Sequence, residues 1–147
     1  MIAGFEGEYR FLSNFWPASL MYMGHRWPSV EHAYQWAKSS DPALVTDFMR
    51  MTAGQAKRAG VITNPEWHHG KIRLMRSLVM DKFLYNMELA DKLLSTNDLK
   101  IVELNRHHDT FWGVVEHEDG SWKGTNHLGE ALMYVRGVLR GDQIEFQ

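Results

Sequence analysis

No cysteine occurs among the 147 residues, which excludes disulfides, thiolate nucleophiles and cysteine-bound metals and leaves any zinc site to histidine and carboxylates. Long apolar runs are also missing. No stretch approaches the ~18 apolar residues of a membrane-spanning helix, and the opening residues lack the basic-then-apolar order of a secretory leader. Neither charge sign dominates: 16 Lys and Arg against 18 Asp and Glu leave a net charge of −2, so nothing in the global balance points to a nucleic-acid backbone. Neither GxGxxG nor GxxxxGK[ST] follows a strand, and no serine stands in a GxSxG turn. HExxH is absent, and the pairs His68-His69 and His107-His108 diverge on any regular element, so neither naturally chelates one ion. The expectation is a cytoplasmic protein of a single domain over 1–147, with no metal, no cofactor and no membrane partner.

Aromatic residues are plentiful, with six Trp, seven Phe and five Tyr, enough for a core and for stacking walls. Along the chain, Ser19 to Trp27 reads as a β-hairpin around Gly24. Ser29 reads as the N-cap of a helix, Asp41-Pro42 opens another, Thr52 a third ending at Gly60, and Asn64-Pro65 leads into a longer one from Trp67 toward Phe83. Met87 to Leu94 adds a helix and Leu99 to Leu104 a short strand. Phe111 to Val115 is expected to pair with Ser121 to Lys123 across Asp119-Gly120. A last amphipathic helix buries Leu128, Ala131, Leu132, Val135 and Leu139, capped by Asn126 and stopped near Gly141. The fold class is α+β, mainly helical, with a few short antiparallel strands.

The run Pro28-Ser29-Val30-Glu31-His32-Ala33-Tyr34-Gln35-Trp36-Ala37-Lys38 is the most informative in the chain. Seven residues are almost two turns, so Glu31 and Lys38 project alike, ~10 Å apart along the axis, with Gln35 between them. Val30, Ala33 and Ala37 form an apolar stripe, so the polar stripe should border the core. A carboxylate, an amide and an amine at such a border suit a reactive cleft; helix capping and dipole preference explain a first-turn Glu equally well. Lys57 and Arg58 read either as a phosphate contact or as a solvated helix end. Trp67 and Trp112 read as core or as faces for a planar substrate. Asp109 orients a water or sugar hydroxyl, or simply shapes a loop, and Glu103 ends an apolar strand near a sheet edge or faces solvent.

Taken in order, the segments resemble the YbiA-like family, also called the NADAR family, nearly end to end. The resembling pieces are Tyr9 to Phe15, Pro28 to Lys38, Ala56-Lys57-Arg58, Trp67 with Met75, Lys82-Phe83, Val102-Glu103-Leu104, Asp109 to Gly113, Gly124 to Gly129 and Leu132 to Arg136. The chain departs from the family's pattern after Gly113, where Val114-Val115 replaces a more polar, glycine-containing continuation. The resemblance implies N-glycosidase chemistry on a ribose C1–N bond of a phosphorylated, nucleotide-like compound: ADP-ribose on guanine in nucleic acid, or an early intermediate of riboflavin synthesis. It implies a pocket holding Glu31, Lys38, Trp67, Glu103, Asp109, Trp112 and Asn126, with Gly113 beside Trp112.

Under that reading Glu31, Lys38, Asp109 and Glu103 are the catalytic candidates, and Arg10, Ser13 and Asn14 are expected to contact phosphate or ribose. Lys38 forms a Schiff base with the ring-opened sugar, or binds substrate while a carboxylate activates water. The competing class is a non-catalytic ADP-ribose or nucleotide-binding module; a structural protein is a third.

Overall fold

The structure is a computed structural model that describes residues 1–142; the last five positions of the domain expected over 1–147 lie outside the described residues. In chain order the elements are β1 (Ile2–Ala3), a 3-10 turn (Gly7–Leu12), β2 (Leu20–Tyr22), β3 (His25–Trp27), α1 (Val30–Ala37), a 3-10 turn (Pro42–Leu44), α2 (Val45–Met49), α3 (Ala53–Ala59), α4 (Trp67–Leu84), α5 (Met87–Leu94), β4 (Ile101–Val102), β5 (Val115–Glu116), β6 (Trp122–Lys123) and α6 (His127–Arg140). Contacts divide them into two units, Asn14–Asn86 and a discontinuous one joining Met1–Ser13 to the residues from Met87 onward. The α+β class is as expected. None of the described helices is long and apolar enough to cross a membrane.

In the unit Asn14–Asn86, β2 and β3 pair antiparallel through Met23 and Gly24, whose φ values of 51° and 77° supply the left-handed turn that matches strand twist. Ser29 caps α1 by accepting the His32 amide at 3.2 Å. Sequence reading put the polar stripe of α1 at the edge of the core; instead all eight residues of Val30–Ala37 are buried, because α2, α3, α4 and β3 all pack on this one helix. Buried polar groups then need internal partners. His32 finds them at both ring nitrogens, with Nδ1 2.6 Å from Ser29 Oγ and Nε2 2.7 Å from the Met51 carbonyl. A carbonyl only accepts, so Nε2 carries a proton and His32 is a structural tie. Thr52 and Gln55 form a reciprocal capping box at the start of α3, which satisfies two amide donors at once. The buried face of α4 carries Trp67, Met75, Leu78, Val79, Lys82 and Phe83, at the spacing a helix needs to present one side.

In the other unit, β1 and β4 pair in parallel, Ile2 opposite Ile101. This pair lies outside the antiparallel expectation, since two apolar residues carry no alternation and their partner is distant in sequence. The second hairpin joins β5 to β6, with Gly120 at φ 84° in its turn. Helix α6 packs on β4 and α5 through Leu128, Ala131, Leu132 and Val135. One expectation fails here. Asn126 does not cap α6 with its side chain: its φ is 54°, its Oδ1 accepts the Glu103 amide at 2.9 Å and its Nδ2 donates to the Ile101 carbonyl at 2.9 Å. Backbone carbonyls do the capping instead, Gly113 for Asn126, Phe111 for His127 and Trp112 for Leu128, which frees the asparagine to tie α6 to β4.

Candidate functional site

Glu31, Lys38, Trp67 and Asn14 all fall in the unit Asn14–Asn86. Glu31 is only 7 % exposed, and its Oε1 accepts from Gln35 Nε2 at 2.7 Å, one turn along α1. Its backbone amide donates to the Asn14 carbonyl at 3.1 Å, and Asn14 Nδ2 reaches Met75 Sδ at 3.4 Å, so the segment entering the unit is pinned to α1 and α4 together. The Gln35 carbonyl end lies where a side chain at Gly60 would stand. A Cβ at Gly60, the residue that ends α3, would collide with Gln35 Oε1 and stand 3.1 Å from Lys38 Cδ. Among the described residues no group donates to the buried Oε1 of Gln35 or the buried Oδ1 of Asn14.

Lys38 ends α1 and is half-buried. Its carbonyl accepts the amides of Thr63 and Asn64, and its Nζ stands 5.4 Å from the centre of the Tyr34 ring. Burial lowers the Lys38 pKa below the usual lysine range; the Glu31 charge acts the other way, while Lys71 and Lys57 lower it further. Desolvation thus outweighs the carboxylate, and more of the neutral amine is present than in a free lysine. Tyr34 in turn meets Trp67, ring centroids 5.1 Å apart at 54°. Trp67 is 5 % exposed, so much of its indole is spent on Tyr34 and the core.

Glu103, Asp109, Trp112, Gly113 and Asn126 come together in the other unit, around the loop 105–114. Asn105 organises that loop, with Oδ1 accepting the amides of His107 and Asp109 and Nδ2 donating to the Asp109 carbonyl at 2.8 Å. Asp109 Oδ1 accepts the Phe111 and Trp112 amides at 3.0 and 2.8 Å, an Asx-type arrangement that sets where Trp112 stands. Phe111, Trp112 and His127 form a half-buried ring cluster, with Phe111 4.8 Å from Trp112 and 4.5 Å from His127. Gly113 lies against Glu103: any Cβ there would strike the Glu103 carbonyl and carboxylate. Arg10 is exposed in the first 3-10 turn and Ser13, just after it, is buried.

The sequence places the Gln35 amide in the expected cleft with Glu31 and Lys38 but assigns no role to Tyr34, Lys71 or Asn105. Spacing held a signal for two of these: Tyr34 precedes Lys38 by four residues and Lys71 follows Trp67 by four, so each pair shares a helix face. Asn105 carried a weak local signal, since two of its partners lie only two and four residues on, His107 and Asp109, as in an Asx turn. Among the described residues no three His, Asp or Glu side chains converge as a metal site would require.

Residues 4–140 match the NADAR domain family. The chain is 38 % identical over 140 residues to a riboflavin biosynthesis protein of Vibrio vulnificus (strain YJ016), covering 92 % of this chain but 37 % of that much longer relative. It is 34 % identical over 140 residues to an N-glycosidase of Nostoc punctiforme, covering 90 % of this chain and 86 % of the relative. The N-glycosidase YbiA of Escherichia coli (strain K12) is 32 % identical over 139 residues, covering 90 % and 82 % of the two chains. The NMR structure of E. coli YbiA superposes with a TM-score of 0.76 at 30 % identity, covering 95 % of this chain and 85 % of the other. With a family match that runs from the first 3-10 turn through α6, and relatives aligned over nine-tenths of its length, the chain belongs to the NADAR domain family.

Proposed function

We propose that this protein is a hydrolase that cleaves N-glycosyl bonds, acting on the ribose C1–N bond of a small, phosphorylated, nucleotide-like substrate, with Glu31 and Lys38 as its catalytic pair. The observation that carries the proposal is a half-buried lysine with a lowered pKa on the same helix as a buried carboxylate, in a chain whose relatives are named N-glycosidases. The near-neutral net charge of −2 favours a small substrate over an extended nucleic acid.

In the proposed reaction the neutral Nζ of Lys38 attacks the anomeric carbon as the C1–N bond breaks. The proton lost from Nζ passes through the Glu31 carboxylate to the departing nitrogen, which leaves as N–H. Ring opening, with one proton taken from solvent by the ring oxygen, gives an iminium between Lys38 and C1, and that proton is returned when water adds. Water adds to it, and collapse of the carbinolamine returns the free amine and a sugar with oxygen at C1. The net change is the addition of one water across the C1–N bond. Gln35 keeps the Glu31 carboxylate aimed; in the other unit Asp109 positions its own loop 105–114, its Oδ1 accepting the Phe111 and Trp112 amides.

The test pairs wild type with Glu31→Gln on an early riboflavin-pathway intermediate and on an ADP-ribosylated guanine oligonucleotide, following released base by chromatography, with borohydride added during turnover. The expected result is turnover by wild type, a fall of about a hundredfold or more in the variant, and a sugar adduct on Lys38. Turnover without the adduct favours direct water attack. Ligand binding without turnover on either compound replaces the enzyme by a binding module.

A further inference from the structure

Two lysines outside the proposed catalytic pair are carried to its neighbourhood by separate helices. Trp67, Lys71 and Met75 follow one another at four-residue intervals on α4, so they form one stripe of the helix surface. Both ends of that stripe are anchored. Trp67 meets the Tyr34 ring at 5.1 Å, and Met75 Sδ receives Asn14 Nδ2 at 3.4 Å, where the Asn14 carbonyl accepts the Glu31 amide. Lys71, in the middle of the stripe, is therefore flanked by the ring beneath Lys38 on one side and the backbone holding Glu31 on the other.

Lys57 arrives on α3. Its Nζ stands 5.8 Å from the centre of the Phe15 ring, next in sequence to Asn14, and Gly60, one turn further along, abuts Gln35 and Lys38. Lys57 is exposed and Lys71 half-buried, so a ligand can reach both. We propose that Lys71 and Lys57 form an anion subsite beside Glu31 and Lys38 that holds a phosphoryl group of the substrate sugar.

The charges that act on Lys38 fit this assignment: the Glu31 carboxylate raises its pKa while Lys71 and Lys57 both lower it, so two positive charges bear on it against one negative. A doubly negative phosphoryl group would offset that excess, and ammonium groups are effective point donors to phosphate. Neither lysine has a step in the bond cleavage itself. Their part would be to select phosphorylated sugars and to fix where C1 lies relative to Lys38.

This subsite rests on the glycosidase reading for its substrate but can be tested apart from it. Ribose 5-phosphate and ribose are titrated calorimetrically at low salt into wild type, Lys71→Met, Lys57→Met and Lys71→Arg, with circular dichroism and melting temperature as controls on folding. The expected result is preference of wild type for the phosphorylated sugar and a loss of about tenfold or more in each Met variant. Lys71→Arg should keep most of the affinity, and raising salt should weaken wild type more than Lys71→Met. Equal affinity for ribose 5-phosphate in wild type and both folded Met variants overturns the proposal, as does an equal loss for ribose. Phosphate-dependent binding that survives while no N-glycosidic substrate turns over supports the subsite and removes the glycosidase reading.

Discussion

Gln35 donates a hydrogen bond to Glu31 at 2.7 Å, and its carbonyl end occupies the space a side chain at Gly60 would need. Replacing it by leucine removes a hydrogen bond to a charged group, worth roughly 1.5–3 kcal/mol. If the aim of Glu31 matters in the transition state, kcat should fall about tenfold or more while KM changes little, which steady-state kinetics will show. Lys38 makes a second prediction. Its pKa lies below the usual lysine value, first through burial and then through Lys71 and Lys57, against the pull of Glu31. Glu31→Gln should therefore lower it further and Lys71→Met should raise it, and the pH at which borohydride trapping is half-maximal should move in those directions. The sign for stability follows the same shift. Between the lowered folded pKa and the unfolded value the unfolded chain binds the extra proton, so the contribution of Lys38 to stability grows as pH rises through that window and is smallest below it.

At the level of elements, two close approaches are the points where change costs most. Gly60→Ala forces the end of α3 away from Gln35 and Lys38, and overpacking of this kind costs about 1–3 kcal/mol. The expected signature is a lower melting temperature together with a fall in kcat that exceeds that of an α3 variant with a lost cap, Thr52→Ala, chosen because the cap stabilises by about 1 kcal/mol without touching Gln35. Asp109→Ala leaves the amides of Phe111 and Trp112 without their acceptor, and should alter the tryptophan near-ultraviolet circular dichroism as well as stability. Much of this was legible in the sequence wherever the information was local. Ser29, Asp41 and Thr52 cap where they were expected to, because a cap needs only its own first turn, and the hairpin at Gly24 needs only a two-residue turn. That Glu31 lies in the first turn of α1 and Lys38 at its end was legible for the same reason; their joint catalytic role is the proposal above. What stayed hidden depends on partners far along the chain: the full burial of α1, the contact of Tyr34 with Trp67, and the use of Asn126 to tie α6 to β4 when loop carbonyls had already taken its capping role. An Asn before a helix signals a cap only when nothing else satisfies the amides.

For the molecule as a whole, the two units differ in how the chain supplies them. Asn14–Asn86 is one continuous segment, whereas its counterpart needs both Met1–Ser13 and the residues from Met87 onward. The contribution of the first segment can be measured. Ile2 is 2 % exposed and pairs with Ile101, so Ile2→Ala should cost about 2–5 kcal/mol in a urea titration, more than expected for a residue so near a terminus. The same pairing has a consequence for the making of the protein. At roughly 5–20 residues per second a ribosome takes on the order of 5–20 s to reach β4 after finishing β1; through that interval Ile2 is an apolar group awaiting a strand partner, Ile101, not yet synthesised, while the last residue of Asn14–Asn86 has been added before any of β4 exists.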